Sequence, residues 1–299
     1  MLLPRTNDLV FKMLFVQSIE GLKGMLGAVL GTQVASLTIL NPEIPGLVSG
    51  DGADKSIVLD VRVELSDGSR VIVEMQMRAS GALATRLAFY AARDLSASMG
   101  RGQSYDGLTP TVLIVWLGQR LFPMLPASLH RIFELREGST GELLTDRLAI
   151  HVLQLEDFAE KSETLKLQPL FRWARFFVAK DEAELIELAN GDEQMADAVE
   201  TIKHLSQDRQ AIRLAQERED ELHLYRHELA VSRREGRAEG QQEGRAEGKA
   251  ELLRALLEAK FGALTQAART RLAGATETDL DLWTPRVLSA NTPSDVFAE

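Results

Sequence analysis

The sequence predicts an α/β protein: a mixed β-sheet flanked by helices, followed by an α-helical carboxy-terminal region. Three observations predict it. Residues 57–78, IVLDVRVELSDGSRVIVEMQMR, alternate with period two on either side of a short polar break, as half-buried hairpin strands do. Residues 112–117, VLIVWL, are apolar without interruption, which suits a strand covered on both faces. Helical periodicity, with caps, surrounds both stretches.

In order along the chain, Asn7 is an N-cap for a helix beginning DLVFKMLF, with Asp8 in the first turn, where the helix dipole favours an anion. A second helix, Ile19 to Leu30, stops at Gly31, and a strand is expected over Gln33–Leu40 before Asn41-Pro42 breaks it. Residues 45–55, PGLVSGDGADK, form a glycine-rich loop into the hairpin, and Lys55 within it reads first as a solvated lysine. After the hairpin comes a helix from Leu83 to about Met99, with Leu83, Leu87, Tyr90 and Ala91 on one face and Arg86, Arg93 and Asp94 as polar companions. The buried strand follows, then a short element plus loop over Leu121–Arg136, then a strand near Leu148–Leu153. Residues 169–180, PLFRWARFFVAK, are a helix whose Phe171, Trp173, Phe176 and Phe177 belong in a core.

A composition shift near Asp181 opens one or two polar helices to about Arg234. A heptad runs through Leu205, Ile212, Leu222 and Leu229, with Glu219 and Arg226 on the same seam. His223 and His227 are spaced i, i+4 without a third ligand in view, which fits a solvated helix face. Residues 235–250 repeat glycine every fourth position, with Glu and Arg or Lys between, as a loosely helical spacer or a stripe for close helix approach. Residues 251–299 form a small helical unit. The domain organisation is therefore 1–180, 181–234, 235–250 and 251–299.

The hairpin carries the candidate chemistry. Ser66-Asp67-Gly68 has the composition of a three-residue loop with Gly68 in the left-handed position. That length pairs Glu64 with Arg70, Val63 with Val71 and Val61 with Val73, and brings Asp60 opposite Glu74. A two-residue loop would mix the faces. Directly opposed residues hold their Cβ atoms roughly 5 Å apart, so two carboxylates there repel unless a cation lies between them. A divalent ion such as Mg²⁺, which takes few protein oxygens and keeps its waters, would serve. Gln76 projects from the same face as Glu74.

The net charge of −10 is unevenly placed: residues 1–180 hold 19 basic and 19 acidic residues, and residues 181–299 hold 15 and 25. The acidity therefore belongs to the second part and does not oppose nucleic-acid binding by the first. There are 0 cysteines, which excludes disulfides and thiolate metal sites and fits a reducing compartment. No apolar run approaches the ~20 residues that span a bilayer, and the opening MLLPRTNDLVFK lacks signal-peptide order. A cytoplasmic protein with no membrane partner is expected.

These residues carry a resemblance. NDLVFKMLF, Lys55 with Asp60, Glu74-x-Gln76, Arg86 with Tyr90, and Gly102-x-x-Tyr105 ahead of the buried strand follow one another over residues 5–180. In this order they resemble the PD-(D/E)xK nuclease superfamily, and specifically the Rpn group of recombination-promoting, transposase-like nucleases. The resemblance implies a restriction-endonuclease-like fold and a metal-dependent DNA endonuclease using Mg²⁺, or Mn²⁺ in its place. It implies Asp60 and Glu74 as metal ligands, Asp8 as the acid lent by the first helix, and Gln76 in the position of the superfamily's lysine. A glutamine can only orient water, whereas a lysine stabilises charge. The expected partner is DNA. Double-strand cutting with one site per chain would suit a homodimer. The alternative is a catalytically inactive nuclease-fold scaffold acting through its acidic helical tail. The tail resembles a carboxy-terminal bacterial domain to which no activity is attached.

Overall fold

The computed structural model describes residues 2–44, 60–79, 81–100, 102–158 and 168–298. Lys55 and the whole glycine-rich loop of residues 45–55 lie outside the described residues. The chain forms two compact units, Met1–Asp220 and Glu221–Glu299.

The first unit is built on a six-stranded sheet of order β1-β2-β3-β4-β6-β5. The strands are β1 (Leu37–Ile39), β2 (Val61–Leu65), β3 (Arg70–Gln76), β4 (Thr111–Leu117), β5 (His130–Glu134) and β6 (Leu148–Gln154). β3, β4 and β6 run parallel, while β1, β2 and β5 are antiparallel to their neighbours. The fold is thus the expected mixed-sheet, restriction-endonuclease-like α/β architecture. β1 is shorter than expected, and the short element expected in 121–136 is the edge strand β5, whose exposed residues Ile132 and Phe133 hide its alternation.

Helix α1 (Asp8–Gln17) starts at Asn7, whose side chain accepts from the backbone of Leu9 and Val10. Ser18 both ends α1 and begins α2 (Ile19–Leu30), and the two helices meet at 110°. Gly31 closes α2 with φ +70°, the left-handed conformation that glycine adopts without penalty. α1, α2 and α4 (Pro169–Val178) cover one sheet face, where Val61, Val63, Val71, Val73, Met75, Ile114 and Trp116 join Phe11, Phe15, Phe176 and Phe177. On the other face α3 (Leu83–Ala97) lays Leu83, Leu87 and Ala91 over Ile72, Leu113, Val115 and Leu117. β4 is therefore buried on both sides, which is why its sequence does not alternate.

Helices α5 (Glu182–Ala189) and α6 (Glu193–Leu205) also enter the first core through Leu185, Leu188, Met195, Ala198 and Ile202. The first compact unit accordingly extends past residue 180, where the composition shift suggested an end, because these polar helices each keep one apolar stripe. Helix α7 (Arg209–Phe261) runs 53 residues without a break and absorbs the 235–250 repeat. The intervening Ala, Glu, Arg and Lys favour helix enough to carry the glycines. In the second unit, Leu253 and Leu257 pack with α8 (Gln266–Ala273), α9 (Glu277–Ser289) and α10 (Pro293–Val296) around Trp283 and Phe297. Among the described residues, no single helix is long and apolar enough to cross a membrane.

Candidate active site

The hairpin turn sets the geometry. Gly68 has φ +83°, its N–H donates to the carbonyl of Leu65, and the Leu65 N–H donates to the Ser69 carbonyl, both at 2.9 Å. The resulting register is Glu64 with Arg70, Val63 with Val71 and Val61 with Val73, as the loop length dictates. The ladder ends there, and Asp60 lies one residue before β2. Asn41, legible in the sequence only as a strand breaker, anchors this end: its Nδ2 donates to the Asp60 carbonyl at 3.0 Å and its Oδ1 accepts from Arg62 N at 2.8 Å.

Val73 and Met75 enter the α1–α2 core, so Glu74 and Gln76 project toward α3. There Arg86 Nη2 donates to Glu74 Oε1 and to Gln76 Oε1, each at 3.1 Å. The Gln76 amide donates in turn to the Arg78 carbonyl at 3.1 Å. Among the described residues, the buried Nε of Arg86 has no hydrogen-bond partner.

Each candidate acid is met by an arginine. Asp60 Oδ2 accepts from Arg62 Nε at 2.7 Å. Arg218 grips Asp8 with both arms, Nη2 to Oδ2 at 2.6 Å and Nε to Oδ1 at 3.0 Å. Arg62 and Arg70 also lie 3.8 Å from the Asp94 carboxylate on α3. Burial pushes the Glu74 carboxyl above its ordinary value. Arg86 opposes the shift, while the negative charges of Asp60 and Asp8 reinforce it. The charges of Asp60 and Asp8 thus both act on Glu74, while the expected direct pairing of Asp60 with Glu74 lies beyond the ladder.

Sequence reasoning passed over Lys12. It is buried, 2% exposed, in the α1 run whose other members are apolar. Burial depresses its ammonium, while Asp60 and Glu43 act the other way and Arg62 adds to the depression. One lysine among Leu9, Val10, Phe11, Met13, Leu14 and Phe15 is the signal that could have found it.

Among the described residues, no three or more His, Cys, Asp or Glu side chains are gathered closely enough to hold a metal ion. The two acids that the resemblance implies as ligands, Asp60 and Glu74, fall short of such a group. Two carboxylates with the remaining positions left to water and phosphate suit Mg²⁺ or Mn²⁺, and Glu74, pushed up by partial burial and then by the neighbouring acids, would gain from a cation.

The mixed sheet, with its acid-bearing hairpin between helical layers, defines a nuclease-like α/β protein of restriction-endonuclease type. Residues 5–230 match the family model described as PD-(D/E)XK nuclease family transposase, and the chain belongs to that family. No curated protein and no solved structure matches it.

Proposed function

We propose that the chain is a metal-dependent DNA endonuclease that hydrolyses phosphodiester bonds in support of DNA recombination or transposition. The observation that carries this reading is Glu74, a half-buried carboxylate under the combined repulsion of Asp60 and Asp8. Asp60 and Glu74 would hold Mg²⁺, with Mn²⁺ able to replace it. Bound there, such an ion polarises the scissile phosphate and activates water. Gln76 orients water through its amide, and Asp8 adds negative charge from the α1 terminus. Arg62 and Arg86, which now meet Asp60 and Glu74, would also suit phosphate oxygens, for which a guanidinium is well shaped.

The test is nicking of supercoiled plasmid by purified protein in Mg²⁺, Mn²⁺ and EDTA, beside Asp60→Ala and Glu74→Ala. Cutting that needs metal and is lost in both variants is the expected result. Cutting by Asp60→Ala at the wild-type rate would remove it from the site.

A second reading, an inactive nuclease-fold scaffold acting through its acidic helical tail, is favoured by one observation. All three acids are already paired with arginines, and Gln76 is spent on Arg86 and a backbone carbonyl. On that reading neither Mg²⁺ nor Mn²⁺ would raise the melting temperature in a way that depends on Glu74.

A further inference from the structure

We propose that the outer edge of β5 is an interface through which two copies of the chain join their sheets, antiparallel, about a two-fold axis at Ile132. The interface stands independently of the nuclease reading, at the edge of the sheet away from the β2–β3 hairpin.

An open sheet has two edges. β1 blunts its own by being only 3 residues long, one of the ways proteins keep edges from pairing. β5 is 5 residues long, HRIFE, without lysine or proline, and leaves Ile132 52% and Phe133 37% exposed. The direction of its hydrogen bonds is set where it begins: the Leu129 carbonyl accepts from Gln154 N at 2.7 Å. In an antiparallel ladder alternate residues bond to the same neighbour. Arg131 and Phe133 therefore bond to β6, and His130, Ile132 and Glu134 direct their N–H and C=O groups outward. The His130 carbonyl is accordingly met by Ser128 Oγ, at 2.9 Å, and a carbonyl oxygen has a second lone pair.

A second copy that meets this row antiparallel must set even-numbered residues against even-numbered ones. Centring the axis on Arg131 or on Glu134 opposes like charges. Centring it on Phe133 sets Ile132 against a carboxylate and His130 against Arg136 of the partner subunit. Centring it on Ile132 brings isoleucine to isoleucine, His130 to Glu134 of the partner subunit, and Arg131 to the ring of Phe133 of the partner subunit. Apolar, oppositely charged and cation–ring pairs across strands stabilise a sheet, and like charges directly opposite destabilise it. Arg136 takes only Oε2 of Glu134, so that carboxylate can serve both partners. The edge is complementary to itself in one register, and self-complementarity is what a two-fold interface requires.

The chain contains 0 cysteines, so single cysteines introduced on β5 report the register directly. The full chain is compared as wild type, Ile132→Lys, Ile132→Cys and Phe133→Cys, by light scattering, circular dichroism, and mild oxidation followed by a non-reducing gel. Wild type at micromolar concentration is expected at twice the chain mass of 33.0 kDa. Ile132→Lys, which sets two ammonium groups at the axis, is expected at the mass of one chain with unchanged helix content. Ile132→Cys should oxidise to a linked dimer, because hydrogen-bonded opposed residues hold their Cα atoms about 5.5 Å apart, within the roughly 4.4–6.8 Å of a disulfide. Phe133→Cys, which stands opposite Arg131 of the partner subunit, should link about tenfold more slowly, its own counterpart being a diagonal neighbour. Wild type at single-chain mass, a dimer that persists in Ile132→Lys, or faster linking by Phe133→Cys than by Ile132→Cys each overturns the proposal. Wild type growing into aggregates of indefinite mass shows an open edge in place of a closed pair and overturns it as well. If Ile132→Lys does not fold, the relative linking of the two cysteine variants decides.

Discussion

Arg218 and Asp8 stand 210 positions apart in the chain and form a two-armed ion pair, closing to 2.6 Å. Both side chains are about one-fifth exposed. The pair ties the start of α7 to the first turn of α1, and so places a residue of the polar helical region against an acid of the candidate site.

Removing the guanidinium should therefore have two effects of opposite sign. Arg218→Ala is expected to lower stability by about 1–2 kcal/mol in EDTA, the scale of a partly buried charged hydrogen-bonded pair. It should also enlarge the stabilisation given by Mn²⁺, because Asp8 then adds its full charge to the site. Denaturant melts with and without the metal measure both. A smaller Mn²⁺ effect than in wild type would show that Asp8 lies outside the metal's field.

Restoring the superfamily's lysine should not improve this protein. In Gln76→Lys an ammonium would replace the amide oxygen that now accepts from Arg86 at 3.1 Å, bringing two like charges together. Stability is expected to fall by roughly 1 kcal/mol, with single-turnover cleavage no faster than wild type. A tenfold gain in rate would mean that Arg86 yields its place and that the strand position still wants a cation.

The β5–β6 pair gives the first unit an acid-side weakness far from any catalytic role. His130 Nε2 and His151 Nδ1 lie 2.9 Å apart. Burial and then the His130 charge hold His151 down to about 4, with Glu134 acting the other way, and His130 is lowered by burial as well. Above pH ~6.5 the ring of His151 is neutral whether the chain is folded or not. Between ~6.5 and about 4 the unfolded chain takes a proton that the folded chain refuses, so stability is lost as pH falls through that window. The loss is on the order of 2–3 kcal/mol, and His151→Gln should flatten the slope of unfolding free energy against pH there. An unchanged slope would place the acid sensitivity elsewhere.

The glycine stripe of α7 separates two uses of the same sequence. A Cβ added at Gly236, Gly240, Gly244 or Gly248 meets nothing within 4 Å. Replacing all four by alanine should raise helix content and the melting temperature, each site contributing up to ~1 kcal/mol. If the stripe seats a second copy of the chain, the same variant would instead weaken a dimer seen by light scattering at micromolar concentration.

The hairpin was legible because two of its determinants are local. Strict alternation fixes which residues share a face, and the three-residue turn fixes the register, so the pairing from Glu64–Arg70 to Val61–Val73 follows from short-range rules. The buried strand β4 and the caps Asn7 and Gly31 were local in the same sense. What escaped was long-range. Arg218 finding Asp8, Asn41 clamping Asp60, and α5 and α6 joining the first core depend on tertiary packing that no window of sequence contains. Lys12 was hidden for a different reason: a lysine within an apolar helix resembles an exposed face until burial is measured. β5 was blurred because an edge strand with exposed apolar residues does not show a clean period.

The turn at Ser66-Asp67-Gly68 acts as a ruler for everything the site contains. Its length, more than the identity of its first two residues, decides which side chains of the two strands meet. A one-codon deletion there would leave Asp8, Asp60, Glu74 and Gln76 all present in the gene, yet would turn one strand's acids out of phase with the other's. An inventory of catalytic residues would score that variant as intact. Spacing is thus a heritable part of this hairpin, and for chains of this family turn length belongs beside residue identity in any comparison of their candidate sites.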